Sequence, residues 1–595
     1  MDRDLESIQE ARRLVEKAAE AAKALASFSQ ARVDSVVRSC AEAAQANAEL
    51  LARLAVEETT YGRVEDKIQK NLFSSRDVYN AIKDLKTVGV IREDPEHGVV
   101  EMAVPAGVVA AIIPCTNPTS TAIFKALIAL KGRNAIVMSP HPSAVRCIRE
   151  SARVVYEAAL KAGAPEGCIA CLSMPTLEAT EELMKHRQTA IILATGGAGL
   201  VKAAYSSGKP ALGVGPGNVP AYIHSSADIP KAVADILTGK AFDYGTVCSS
   251  EQHMVVDAAI AGEVRAETER QGGFFLTAEQ AATVAQILIL PNFRVNAKMV
   301  GQSPERIARE AGLSIPQGTR VLVAPLSGVG REHPLSAEKL SPVLSFFVVA
   351  DWREGLDVCR RLLEFGGMGH TMALHARDDQ VIRSMALELP AFRLVVNTPA
   401  PHGSVGWSTD LFPAMSLGCG TPGGNVTSDN ISPLHLINVK RLAYERRPVN
   451  RPAAGASIVQ DTSLSAEAPR PVTSTPALTP AAARTAASVI DRAEIARIVD
   501  RFLAGRANLP SAAAASNPSF SPPWIPPGSP LTPASTSAAA SSLREAARPK
   551  PVDFVSEDDV RRALTRGEKI YVSPRTIITP SARDLGQARE VFVSQ

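Results

Sequence analysis

Apolar residues recur at helical spacing from the first positions of the chain. Leu5, Ile8, Val15, Ala19 and Ala22 share one stripe, which predicts amphipathic helices that need a surface to cover. Further along, the period changes. GVVAAII, residues 107–113, is a continuous apolar run that reads as a buried strand; a polar turn with two prolines follows, and a helical pattern resumes over 122–130. The unit returns twice: residues 134–138 predict a strand before a helix over 143–160, and 190–194 predict another before a helix over 198–206. Strands that are apolar on both faces and alternate with helices predict an α/β fold whose parallel sheet is covered on both sides. In such sheets ligands bind beyond the carboxyl ends of the strands, so the loops after these strands are where chemistry is expected.

Near residue 447 the periodicity stops. TSTPALTPAAARTAAS and SNPSFSPPWIPPGSPLTPASTSAAASS carry no pattern able to bury a core, so the tail over 448–595 is expected to be largely disordered. Two islands interrupt it. In 488–503, Ile495, Ile498, Val499 and Phe502 share a helical face behind Ser488 as N-cap, and so short a helix is expected to fold on a partner. In 556–593, SEDDVRRALTRG reads as a capped helix, followed by the strand-like KIYV and by ITPSARDLG.

Composition narrows the partners. The 595 residues amount to about four domain lengths, so more than one folded unit is expected. Lys plus Arg, 64, nearly balances Asp plus Glu, 61, and no basic stripe stands out, so the expected partner is a small molecule rather than nucleic acid or a membrane. No apolar run approaches the roughly 18 residues of a membrane span, and the charged N-terminus is unlike a signal peptide, which points to the cytoplasm. The eight cysteines are scattered and expected to be reduced thiols. Cys168 and Cys171 form a CxxC without a second pair, so no metal site is expected there.

Three loops concentrate candidate chemistry. TGGAGLV, residues 195–201, places glycines before a helix, where backbone N–H groups can approach a phosphate, although the pattern is not GxGxxG. FDYGTVCSSEQ, residues 242–252, sets Cys248 in a polar, glycine-containing loop, where a nucleophilic thiol can be exposed and stabilised. IPCTNPTST, residues 113–121, puts Asn117 between a strand and a helix, where its amide could donate to a developing oxyanion.

Together with NAIVMSPHPSA, LGVGPGN, EKLSPVLSFF, GGMGHTMALH and LGCGTPGGNVTSDNISPLHLINVKRLA, these loops over residues 1–445 resemble the aldehyde dehydrogenase superfamily. The resemblance is to its CoA-acylating branch, most closely the aldehyde dehydrogenase half of bifunctional aldehyde–alcohol dehydrogenases. It implies a Rossmann-like NAD-binding domain over 1–223 with its N-terminal helices. A catalytic α/β domain carrying the thiol would span 224–395, and a return and oligomerisation segment 396–447. Carried over residue by residue, it makes Cys248 the nucleophile, with Asn117 and the Cys248 N–H as oxyanion donors. Thr195, Gly196 and Gly197 would lie near the pyrophosphate of NAD, with NADP left open, and Gly213 would face the nicotinamide end. Ser139 and Glu338 would meet the adenosine and nicotinamide riboses, and His370 would relay the CoA thiol proton or support the structure.

A hydrolytic relative would activate water with a glutamate in an ELGGK-like loop. LGVGPGN, residues 212–218, has none, so an acyl-CoA product made from a short aldehyde is expected, with a free acid as the alternative. Pro422 in GCGTPGGN stands where relatives often have tryptophan, which leaves substrate size open. The resemblance further implies a homo-oligomer. The tail's islands resemble the targeting elements that direct enzymes into bacterial microcompartments, so shell or cargo proteins are the expected partners there and the lumen the expected location.

Overall fold

The computed structural model describes residues 3–447, 449–450 and, toward the C-terminus, 552–594 except 553, 574–575, 580–581, 584, 587–588 and 590. The described residues fall into two units, one within Met1–Gln460 and one within Asp461–Gln595.

The first unit opens with helices Arg3–Ala26, Gln30–Ala46, Ala48–Thr59 and Val64–Leu72. Of the predicted stripe, Val15 and Ala19 are buried, Ile8 and Ala22 half-buried and Leu5 exposed; Val15, Ala18, Val33, Val36 and Cys40 lie in the main core, and Ser29 caps the second helix by accepting from the Arg32 N–H. Strands β1 (Gly89–Asp94) and β2 (Val99–Pro105) pair antiparallel. Then β3 (Val108–Ile113), β4 (Ala135–Pro140), β5 (Ile169–Cys171), β6 (Thr189–Thr195) and β7 (Ala211–Val214) form a parallel sheet of order β5-β4-β3-β6-β7. Every residue of β3 is buried, and so is the whole helix Pro118–Lys131 after it, which explains why that helix is apolar nearly all round. The chain winds from β3 toward β5 on one side and from β6 to β7 on the other. The crevice at the carboxyl ends of β3 and β6 is therefore a topological switch point, with the loops of Asn117 and Thr195 on its two lips.

A second parallel sheet follows, made of β8 (Val219–Ile223), β9 (Glu251–Asp257), β10 (Gly273–Phe275), β11 (Val321–Pro325), β12 (Val343–Val349), β13 (Gly369–His375) and β14 (Ala391–Val396), in the order β10-β11-β12-β9-β8-β13-β14. The boundary expected at 223 therefore moves. Residues 219–223 are β8, paired with β9 and β13, and the change of sheet falls between Val214 and Val219. Strand β15 (Ile437–Ala443) returns to pair antiparallel with β2, giving the three-stranded sheet β1-β2-β15.

The second unit contains the helix Glu557–Arg566, whose N-cap Ser556 and Asp559 make a reciprocal capping box and which ends at Gly567 with φ +67°. Strands β16 (Phe554–Val555), β17 (Ile570–Val572), β18 (Ile577–Ile578) and β19 (Phe592–Ser594) pair in parallel as β16 with β18 and β17 with β19, around a small core of Val555, Val560, Ala563, Val572, Ala582 and Val591. The helix expected over 488–503 lies outside the described residues.

Candidate active site

A cavity of about 520 Å³ sits at the switch point, and its wall brings together Asn117, Ser139, Thr195, Gly196, Gly197, Cys248 and Glu338. In its wall the Ser139 and Thr180 hydroxyls lie 2.7 Å apart. In the middle the Thr195-Gly196-Gly197 turn leads into the helix Ala198–Tyr205. Among the described residues the buried Thr195 hydroxyl has no partner, and a Cβ on Gly197 would meet nothing within 4 Å. An unpartnered hydroxyl and open space over a helix N-terminus fit the diphosphate of a dinucleotide, which these residues would hold. Gly213 does not line this cavity. Its N–H donates to the Tyr205 hydroxyl at 3.0 Å, and a Cβ there would lie 2.7 Å from Val201, so it lets β7 approach the helix; Gly215 lines the cavity instead.

Cys248 is half-buried in the wall of the cavity, on the loop that enters β9. It therefore sits at the amino end of its strand, opposite to the end that open parallel sheets favour, because the second sheet turns its amino edge toward the carboxyl edge of the first. Burial, then the Glu338 carboxylate and Cys419, push the Cys248 thiol up to about 12, while Arg393 pulls it the other way. The resting group is a thiol. Glu338 is the cavity's one carboxyl among the described residues; it accepts from the Gly217 N–H at 3.2 Å, and burial lifts it to about 7.

Asn117 is the N-cap residue of Pro118–Lys131 and is 9% exposed. Its Nδ2 makes only long contacts, 3.3 Å to the Thr116 hydroxyl and 3.4 Å to the Thr246 carbonyl, so its N–H groups are lightly engaged. Its Oδ1 accepts from Lys70 Nζ at 2.6 Å. Lys70 in turn is paired with Asp243, which also accepts from Lys67 Nζ at 2.9 Å and from the Thr246 hydroxyl at 2.6 Å. Burial works against the Asp243 charge, yet the two lysines hold its carboxyl below the ordinary range. Burial lowers Lys70 to about 8 against the pull of Asp243. The sequence reading passed over Lys67, Lys70 and Asp243. VEDKIQKNL looks like a solvated helix face, and its only cue was two lysines three apart.

His370 lies outside the cavity wall and is fully buried behind it. Burial, then Arg393, lower it to about 3, so the ring is neutral; Nδ1 contacts the Thr371 hydroxyl at 3.0 Å and Nε2 has no partner. His253 packs edge-on to Phe347 and bonds Asn218. Pro422 sits in the exposed turn Thr421–Gly423, away from the cavity. Among the described residues, no group of three or more His, Cys, Asp or Glu is placed to hold a metal ion.

One cleft thus brings together a thiol, a side-chain amide and a glycine turn at a helix N-terminus. The model of the "Aldehyde dehydrogenase family" matches residues 5–271. The bifunctional aldehyde-alcohol dehydrogenase AdhE of Escherichia coli K12 is 43% identical over 442 residues, 73% of this chain and 50% of the relative. The solved acetylating aldehyde dehydrogenase of Geobacillus thermoglucosidasius is 53% identical with a TM-score of 0.75, covering 76% of this chain and 99% of that one. A propionaldehyde dehydrogenase from the fucose utilisation microcompartment of Clostridium phytofermentans is 28% identical with a TM-score of 0.67, covering 74% and 98%. The chain belongs to the aldehyde dehydrogenase family. It spans about half the length of the bifunctional relatives it matches.

Proposed function

We propose that the protein oxidises a short-chain aldehyde to its acyl-CoA, reversibly, with NAD and CoA, through a thioester on Cys248. The observation that carries this reading is the end of the cleft: Cys248 and Asn117 share the cavity, and the LGVGPGN loop beside them brings no carboxylate. The Cys248 thiol passes its proton to Glu338, whose value near 7 suits it as acceptor, and the thiolate attacks the aldehyde carbon. The Asn117 N–H and the Cys248 backbone N–H stabilise the oxyanion. NAD, when bound, supplies the hydride acceptor. The acyl group stays on sulfur until the CoA thiol attacks the same carbonyl, and Cys248 leaves as thiolate. His370 stands second as proton relay: its Nε2 is unpartnered, but its ring lies behind Gly217.

Among the described residues the cavity wall carries neither Lys nor Arg to meet a 2′-phosphate, which supports NAD over NADP. Among the described residues β15 is an edge strand, with Val439 and Leu442 exposed, which supports a homo-oligomer. The C-terminal unit and the segment 488–503 are the candidate contacts for shell or cargo proteins of a microcompartment. A relative named from such a compartment supports that location. No helix among the described residues is long and apolar enough to cross a membrane.

Glu338 also supports a second reading, in which it activates water and the product is a free acid. Rates of NADH formation with two- to four-carbon aldehydes, with and without CoA, separate the two. CoA-dependent turnover and an acyl adduct on Cys248 are expected, and equal rates without CoA overturn the acyl-CoA reading.

A further inference from the structure

Lys67 and Lys70 lie buried against Asp243 of the nucleophile loop, and a second buried carboxylate, Asp66, accepts from the Asp243 N–H at 2.8 Å. Lys70, 4% exposed, is drawn to Asp243 and to Asp66. Its ammonium also reaches past Asp243 to a neutral amide, Asn117 Oδ1, at 2.6 Å, beside a long 3.5 Å contact to the Thr246 hydroxyl. The backbone is bent to deliver the carboxylate. Asp243 and Tyr244 have φ of 49° and 52°, a left-handed pair of residues with side chains. Gly62 faces them, and a Cβ there would fall 1.8 Å from Asp243 Oδ1. The same Oδ1 accepts from the Arg63 N–H at 2.7 Å, which ties the helix Val64–Leu72 to the loop of Cys248.

We propose that Lys70, held by Asp243, is a positioning residue of the oxyanion site: its ammonium fixes the carbonyl end of Asn117 away from Cys248, so that the amide N–H end faces the reacting carbon. An amide left to itself can flip by 180° and present either end, with similar shape and opposite polarity. A cation bound to the oxygen removes that freedom. It also polarises the amide so that its N–H donates more strongly. The proposal rests on the reading of Asn117 as oxyanion donor given above.

The test is a double-mutant cycle on the full-length protein, using Lys70→Met, Asn117→Ala and the two combined. The first readout is the rate at which a nitrophenyl ester acylates Cys248, a step that forms the same oxyanion and needs neither NAD nor CoA; the second is CoA-dependent NADH formation. Lys70→Met is expected to slow acylation about 10- to 100-fold, the scale of a misplaced oxyanion donor, with KM changed less than about threefold. In the Asn117→Ala background the same substitution is expected to change nothing further, because the group through which it acts is gone. Losses that multiply, or an acylation rate within about twofold of the parent, overturn the proposal. Should Lys70→Met fail to fold, Lys70→Gln, which keeps an N–H for Asn117 Oδ1 without the charge, carries the cycle, and a multiplying loss again overturns it. If NADH formation proves independent of CoA, the acyl-CoA reading fails while the ester cycle still decides the role of Lys70.

Discussion

Gly217→Ala tests whether the nucleophile is placed by backbone packing. A Cβ at 217 would lie 2.2 Å from the Cys248 carbonyl oxygen and 3.2 Å from His370 Cγ. Carbon–oxygen contacts below 3.0 Å do not persist, so the nucleophile loop must yield by about 0.8 Å or more. His370 is fully buried behind it and cannot give way freely. Displacing a reacting atom by about 1 Å costs on the order of 100-fold in rate, whereas overpacking of this kind costs only about 1–3 kcal/mol of stability. The methyl also crowds the N–H that Glu338 accepts from, so the carboxyl loosens as Cys248 moves. The expected outcome is a folded protein with kcat for CoA-dependent NADH formation reduced about 100-fold and a melting temperature lowered by a few degrees. Gly215→Ala is the companion, since a Cβ there meets nothing within 4 Å although the residue lines the cavity. It should leave kcat near the parent value and raise KM for NAD. A Gly217→Ala enzyme with kcat within about twofold of the parent would refute the claim that this contact positions the thiol.

Three further outcomes follow from the same geometry. Glu338→Gln removes the proton acceptor of the Cys248 thiol, so alkylation of Cys248 by iodoacetamide at pH 8 and turnover should both slow; an alkylation profile identical to the parent would separate the two groups. Gly197→Asp puts a carboxylate over the open turn at the helix N-terminus, and KM for NAD should rise at least about 10-fold with the melting temperature unchanged, whereas unaltered cofactor kinetics would move the diphosphate elsewhere. Glu251, whose Oε1 accepts from the Ala400 N–H while Oε2 is unpartnered, is lifted by burial to about 8. A carboxyl raised in the folded state contributes stability below its ordinary value of 4.5 and loses it as pH climbs toward 8. Melting temperatures of Glu251→Gln between pH 6.5 and 8.5 should therefore decline less than those of the parent, and parallel slopes would rule this out.

Much of the fold can be read without coordinates because its signal is local. The continuous apolar run of β3, the all-round apolar helix behind it and the glycine turn at 195–197 each record a burial or a backbone requirement in consecutive residues. Ser556 and Asp559 likewise state a helix start within four positions. The border between the two sheets was misplaced for the complementary reason: an apolar strand such as VPAYI, residues 219–223, has the same composition in either sheet, and only its pairing with β9 and β13 assigns it.

The site divides along the same line. Cys248, Asn117 and the phosphate turn are recognisable in sequence because each needs a particular side chain, or none, at a strand end. What holds them was decided only by the tertiary structure. Lys70 and Asn117 are 47 positions apart, Asp243 lies 173 from Lys70, and Gly217 meets Cys248 through a carbonyl that every residue possesses. The polarity of VEDKIQKNL describes a helix surface but not what covers it, and the energy of a buried charge depends wholly on that cover. Residue type sets which chemistry is possible, while three-dimensional proximity sets which charge faces which amide.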